Sequence, residues 1–408
     1  MKRLLSILIC LIMIFPLFTI DVNAGKATVV YLRNNGNGDG SSYAKAVGSL
    51  SDAYDALDLS KDCTIVVCND FNQTAGFTYG KPYTGSVTFT SVYNGVDYKT
   101  KYGAEYISPQ QRFVCYGETI FDDIDLRVTG NYFFIIANCN PITLTENFNP
   151  KYLKKVSGNV IDSGVSILGG YQNGQDMYPL ECYNDIKITV MGGKNICIVA
   201  YNRAVKYGYH FGTANITVGG TAHVGTIRFA SIDADDLICG NVDITIKDSA
   251  KVDYIRTGNG QNLDLDSVLV NWQGGKIGQF IKTENREIDG VSVKTTEITD
   301  GSWLRYSSDV RKESNFKSIM ESFDNAVLIG SPDDTYVPTK TEIPADIGSK
   351  VTDEPVTPAD TTEAIGEDTY DISPIDGDAT DWESVIIIAA SALIAASLII
   401  IVIILRKK

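Results

Sequence analysis

The residues best suited to chemistry are two carboxylate doublets, two histidines and a scatter of arginines and lysines. The doublets are Asp122-Asp123 and Asp235-Asp236. Cleavage of a sugar bond needs two carboxyls about 5 to 9 Å apart. Neighbouring residues on a strand point to opposite faces, so neither doublet makes such a pair alone. Both read as polar corner residues. With only two histidines, His210 and His223, His-rich zinc chemistry is excluded, and a lone histidine in such a setting reads as structural. The string Asn35-Gly-Asn37-Gly-Asp39-Gly40 imitates the first half of a calcium loop, but its twelfth position is Ala46 rather than a glutamate. A turn cluster is the default there, and bound calcium the alternative. No other cofactor is expected.

The basic residues gain meaning only from the elements that position them. Ile188-Thr189-Val190, Ile216-Thr217-Val218 and Ile244-Thr245-Ile246 recur at a step of 28 residues. A fixed step of this size points to a solenoid, whose rungs cannot bury their apolar faces alone. The β-branched content makes each rung a strand. Gly192-Gly193, Gly219-Gly220 and Gly274-Gly275 mark one corner, where Asp248-Ser249 stands in the rung between. The next strand, Val268-Leu-Val270, follows after 24 residues, so the repeat is not rigid. A second strand follows each corner, at Ile196–Ile198, Val224–Ile227, Val252–Ile255 and Ile277–Ile281.

In that frame His223, Lys251 and Lys276 each precede the first apolar residue of the second strand, and Arg228 and Arg256 follow it by four residues. Equivalent positions of a parallel stack lie about 4.8 Å apart. Two short basic ladders would result, able to meet an anionic glycan or wall polymer. A solvated face balanced by Asp233 and Asp253 is the blander reading. Tyr201, Tyr207, Tyr209 and Phe211 gather just before this region, and aromatic faces stack on sugar rings. Tyr is abundant everywhere, with 22 copies. The candidate ligand-binding residues are therefore His223, Arg228, Lys251, Arg256, Lys276, Tyr201, Tyr207 and Tyr209. No catalytic residue and no metal ligand is assigned.

Upstream, Thr28-Val-Val-Tyr-Leu32 reads as a strand and Asn34 to Ser42 as a turn cluster. Apolar or small residues at 46, 47, 50, 53, 54 and 57 predict a helix over 46–59, with Ser49 or Ser51 as cap. Thr64 to Val67 is then a buried strand. Near the other end, Phe316, Ile319, Met320 and Phe323 share one face of a short helix over 314–323.

This cap order, with the rung pattern Ile-Thr-Val-x-Gly-Gly-x-x-x-Ile, resembles the pectate-lyase-like superfamily of right-handed parallel β-helices over roughly residues 27–305. The resemblance implies an all-β solenoid with a helix plugging its first rung. The superfamily holds lyases, galacturonases, esterases, phage tailspikes and non-catalytic adhesins, so it does not transfer an activity. The lyase frame Arg-x-Pro-x-x-Arg is missing around Arg112, Arg127, Arg203, Arg228 and Arg256. Gly208-Tyr-His210-Phe-Gly212 does not match the galacturonase Gly-His-Gly.

The two ends speak to location. Residues 1–24 read as a secretory leader: Lys2 and Arg3, an apolar stretch, then Val22-Asn23-Ala24. Residues 385–405 are apolar or small throughout and long enough to span a membrane, and Arg406, Lys407 and Lys408 follow. The tail resembles those that sortases remove, but Leu-Pro-x-Thr-Gly is absent. The expectation is a single-pass type I protein of the cell membrane with its bulk outside. Residues 331–382 carry 14 Asp or Glu against two Lys, and six prolines. Such a segment reads as a disordered acidic stalk. It holds most of the net charge of −15, and the acidic balance argues against nucleic acid as a partner. Residues 25–330 are left as the folded ectodomain. Eight cysteines include Cys10 of the leader; no C-x-x-C occurs, and the rest read as small buried hydrophobes rather than disulfides.

The leading functional expectation is a surface-anchored β-helix that binds glycan or another surface without catalysis. A membrane-tethered polysaccharide lyase or glycoside hydrolase is the alternative.

Overall fold

Strands rich in Val, Ile and Thr, separated by Gly, Asn and Asp corners, build almost the whole fold. The computed structural model describes residues 26–336 apart from 109–110, 131, 153–163, 172–180, 183, 204–207, 233–234, 259–260, 289–290 and 295. All of these belong to one compact unit. The leader, residues 337–382 of the expected stalk, and the apolar run at 385–405 lie outside them. Among the described residues, no helix is long and apolar enough to cross a membrane.

Sheet 1 has eleven strands, from Val29–Leu32 at one edge to Asn325–Leu328 at the other. Sheet 2 has eight, from Phe77–Thr78 to Lys276–Ile281. Sheet 3 has four strands and sheet 4 has five. Every pairing within these four sheets is parallel, and each passage of the chain adds one strand to each sheet it visits. Early rungs run from sheet 1 to sheet 3 (Phe71–Asn72, Tyr106–Ser108, Asp125–Val128, Asn149–Tyr152) and on to sheet 2. From Ile186 onward the order is sheet 1, sheet 2, then sheet 4 (for example Gly208–His210 and Asp235–Cys239). These long all-parallel sheets are compatible with the expected parallel β-helix.

The register places Ile188 beside Ile216, Ile216 beside Ile244, and Ile244 beside Val270. Alternation does the rest. In Ile186–Val190, Ile186, Ile188 and Val190 are buried while Lys187 is exposed. Burying each such side chain contributes about 1.5–3 kcal/mol. The core is aromatic in the early rungs, where Phe89 stacks on Phe121 at 5.2 Å and meets Phe113 edge-on at 5.4 Å. It is mainly aliphatic from residue 186 to 255, with Tyr201 and Phe229 as its buried rings, and Trp272 is fully buried near the far end.

The corners explain the glycine pairs. Gly193, Gly220 and Gly275 have φ of 88°, 54° and 68°, and Asp248 adopts φ 58° at the corresponding turn. A Cβ on Gly275 would sit 2.2 Å from the Ala250 carbonyl oxygen, so this corner also needs the space.

The helix expected over 46–59 is shorter: α1 is Leu50–Ala56, capped by Ser49, whose Oγ accepts from Asp52 N at 3.1 Å. Residues 46–47 are drawn off by strand-like bonding instead. Val47 N donates to Tyr31 O at 2.9 Å, and Arg33 N donates to Val47 O at 3.1 Å. This covers the free edge of the first strand, which would otherwise template aggregation. Tyr54 of α1 reaches the core, 5.0 Å from the rings of Phe77 and Tyr79. A second helix, α2 (Tyr98–Tyr102), follows the Asn94-Gly95 hairpin of Val92–Tyr93 and Val96–Asp97. The helix expected over 314–323 is α3, Phe316–Glu321. Phe316 packs 6.0 Å from Trp272, and Phe323 stacks on Phe280 at 3.9 Å.

Candidate ligand-binding surface

The start of the sheet 2 strands sets one line of basic residues. Lys194 pairs in register with His223, His223 with Lys251, and Lys251 with Lys276. The three lysines are exposed and His223 is half-buried. Asp253 lies two residues beyond Lys251, hence on the same face of the strand. Its carboxylate takes Lys251 Nζ at 2.6 Å and His223 Nε2 at 2.8 Å. Partial burial pushes the Asp253 pKa up, but the bonds from Lys251 and His223 outweigh it and the net shift is downward. Among the described residues, Lys194 and Lys276 have no carboxylate within 4 Å. The line therefore carries three lysine charges against one carboxylate.

The second ladder is in register, with Arg228 buried and Arg256 half-buried. Arg228 pairs with Arg256 along the stack. Arg228 is buried, 5% exposed, and its Nη1 donates to Thr257 O at 3.1 Å. Glu284, just past the last strand of sheet 2, lies 3.8 Å from Arg228 and forms an ion pair with Arg256. The Thr257 hydroxyl also donates to Glu284, at 2.7 Å. The ladder expected at Arg228 and Arg256 is thus in register and carries Glu284 as a counter-ion. Glu284 lies 28 residues past Arg256 and was invisible as their counter-ion, because Asp233 and Asp253 stand closer in sequence.

The aromatic group divides. Tyr201 is fully buried and its hydroxyl donates to Asn241 O at 2.8 Å, so it is a core residue and cannot stack on a sugar. Tyr209 is half-buried and stacks on Phe211 at 5.8 Å. Tyr207 lies outside the described residues. His210 is buried between Tyr201, ring to ring 5.3 Å, and Cys139, whose Sγ is 4.0 Å from Nδ1. The described cysteines Cys63, Cys68, Cys115, Cys139, Cys197 and Cys239 are buried. Burial pushes Cys115 up to about 12 and Cys68 to about 11, which keeps both protonated and unreactive.

The carboxylate doublets are structural where they are described. Asp122 accepts from the Thr145 hydroxyl at 2.6 Å. Asp123 turns a corner at φ 47° and pairs with Lys99. Asp235 and Asp236 lie in the strand Asp235–Cys239, their side chains outside the description. In the Asn35–Gly40 loop a Cβ on Gly36 would sit 2.3 Å from Val47 O, and one on Gly38 2.2 Å from Lys45 O. The glycines are thus required by backbone packing against the segment that covers the first strand. Asp39 accepts from Ser41 N at 2.9 Å and Ser41 Oγ at 2.6 Å. Among the described residues, no group of three His, Cys, Asp or Glu is placed to hold a metal ion.

One cluster escapes a reading by repeats. The hairpin and α2 lie on the outer face of the first rungs and gather Tyr31, Tyr43, Tyr93, Tyr98 and Tyr102. Tyr43 stacks on Tyr102 at 4.5 Å and on Tyr98 at 6.1 Å. The Arg33 guanidinium sits 5.2 Å above the Tyr43 ring, and Lys101 Nζ 5.0 Å from the Tyr102 ring. Burial raises the Tyr98 pKa to about 12, with its hydrogen bond to Tyr31 adding to the rise. The signal in the sequence is Asn94-Gly95 between Val92-Tyr93 and Val96, a two-residue hairpin turn.

No protein-family model, curated protein or solved structure matches this chain.

Proposed function

We propose that this chain is a right-handed parallel β-helix of the pectate-lyase-like kind, held at the outside of a cell membrane by its C-terminal apolar run, that binds an acidic polysaccharide or similar surface polymer without cleaving it. The observation that carries the reading is the exposed line Lys194, His223, Lys251 and Lys276, with Asp253 as its one described carboxylate. Cations in line at rung spacing, about 4.8 Å, suit a linear polyanion better than a compact ligand. This line stands out in a chain of net charge −15. Arg228 is buried and Arg256 is held by Glu284, so neither is free to neutralise a uronate or to take its proton. Surface anchoring rests on the leader and the apolar run.

The test is binding of the full chain to polygalacturonate and to a neutral glucan, read by calorimetry together with an assay for new reducing ends and unsaturated products. The reading expects binding of the polyanion alone, weakened at high salt and at least tenfold weaker in Lys194→Ala/Lys251→Ala/Lys276→Ala, with no product. Product formation would replace it with a lyase or hydrolase. Equal binding by the triple variant would remove the basic line as the site.

A further inference from the structure

We infer that the tyrosine cluster on the outer face of the first rungs is a second, separate contact for the same class of ligand: a platform on which one acidic sugar unit stacks. The inference rests on the glycan-binding reading and adds a site to it. Among the described residues, Tyr102 is the exposed large hydrophobic side chain, at 39%. It is held flat against Tyr43, so an exposed ring is presented in a fixed orientation at the edge of a five-tyrosine cluster. A rigid aromatic face of this kind offers contact area at low cost in side-chain ordering.

The cations beside it are the second observation. Arg33 makes no ion pair and no side-chain hydrogen bond with a described residue, and its Nε is buried without a partner. Lys101 likewise has no carboxylate within 4 Å among the described residues. Three acids of this region are already engaged. Asp97 caps α2 through Lys99 N and Thr100 N, Asp123 pairs with Lys99, and Asp39 holds Ser41 and Lys45. Two cations without a described carboxylate within 4 Å, beside the exposed Tyr102 ring, are complementary to a pyranose ring that carries a carboxylate. A neutral sugar would leave the Arg33 donors unmet, and a free carboxylate would leave the rings unused. The Arg228–Arg256 pair makes the contrast: there each guanidinium has Glu284 at hand.

The experiment measures polygalacturonate binding by the full chain as Tyr102→Ala, Tyr102→Phe, Arg33→Gln and the wild type, with the thermal midpoint recorded for each. The platform requires an approximately tenfold loss in Tyr102→Ala and in Arg33→Gln at unchanged midpoint, with Tyr102→Phe near wild type because the ring and not the hydroxyl is used. If the wild type binds and both losses are below twofold, the platform is overturned while glycan binding stands on the basic line alone. If the wild type binds no polysaccharide, acidic or neutral, the platform and the reading beneath it fall together.

Discussion

Glu284→Ala separates a structural ion cluster from a binding site. The Glu284 carboxylate serves Arg256, lies 3.8 Å from Arg228 and accepts the Thr257 hydroxyl at 2.7 Å. The Arg228 side chain is 6% exposed and that of Glu284 17%. Removing one partner of a buried pair costs about 3–5 kcal/mol, because the other charge stays buried and uncompensated. Arg228 keeps its bond to Thr257 O, and Glu284 is partly hydrated, so the cost falls at or just below the low end of that range, about 2–3 kcal/mol. The assay is urea unfolding of the full chain followed by tryptophan fluorescence, since buried Trp272 reports on the rungs that carry this cluster. Arg228→Met in the Glu284→Ala background removes the buried charge that has lost this carboxylate and restores at least half of the loss. Glu284→Gln, which still accepts the Thr257 bond, falls between. A loss below about 0.5 kcal/mol in Glu284→Ala, or no recovery with Arg228→Met, would refute the view that this glutamate is the structural counter-ion of the buried Arg228.

Three further outcomes follow from the same geometry. Ile216→Ala, at a site 1% exposed between Ile188 and Ile244, destabilises the chain by about 2–5 kcal/mol in the same urea assay. Gly275→Ala lowers the thermal midpoint, since φ is 68° and the new Cβ meets the Ala250 carbonyl, whereas Gly80→Ala, at φ 75° with nothing within 4 Å of its Cβ, lowers it less. The bidentate bond from Arg305, with help from Gly330 N, holds Asp334 down to about 2. A depressed carboxylate stabilises the fold above its unfolded pKa, near 4, and loses that contribution as pH falls toward 2. Arg305→Met therefore lowers the midpoint at pH 6 and has little effect at pH 2, read by thermal unfolding across that range.

What could be read from the chain depends on whether the signal is local. The 28-residue step is legible because Ile188, Ile216 and Ile244 must face one core, and a strand that slipped by one residue would turn them outward. The register of His223, Lys251 and Lys276 is legible for the same reason, as each has a fixed offset from those strands. The helical period at 46–59 overruns, because Val47 and Leu57 are apolar for another purpose: both bridge to the first strand region, Val47 to Leu32 and Leu57 to Ala27. Tyr201 and Arg228 mislead because residue type does not state which way a side chain turns at a corner. Tyr201 finds Asn241 O inside, and Arg228 finds Glu284. The tyrosine cluster is drawn from positions 31 to 102 by a hairpin and a five-residue helix that belong to no repeat, so no periodicity reveals it.

The in-register stacking beneath every inference here can be measured with spin labels on Lys251→Cys and Lys276→Cys. Both positions are exposed, and the described native thiols are buried. Neighbouring rungs lie about 4.8 Å apart, so the doubly labelled chain gives a spectrum strongly broadened by dipolar coupling relative to the sum of the two single labels. A double-label spectrum equal to that sum would show that residues 251 and 276 are not adjacent, and with it the parallel stack and the basic line would both be lost.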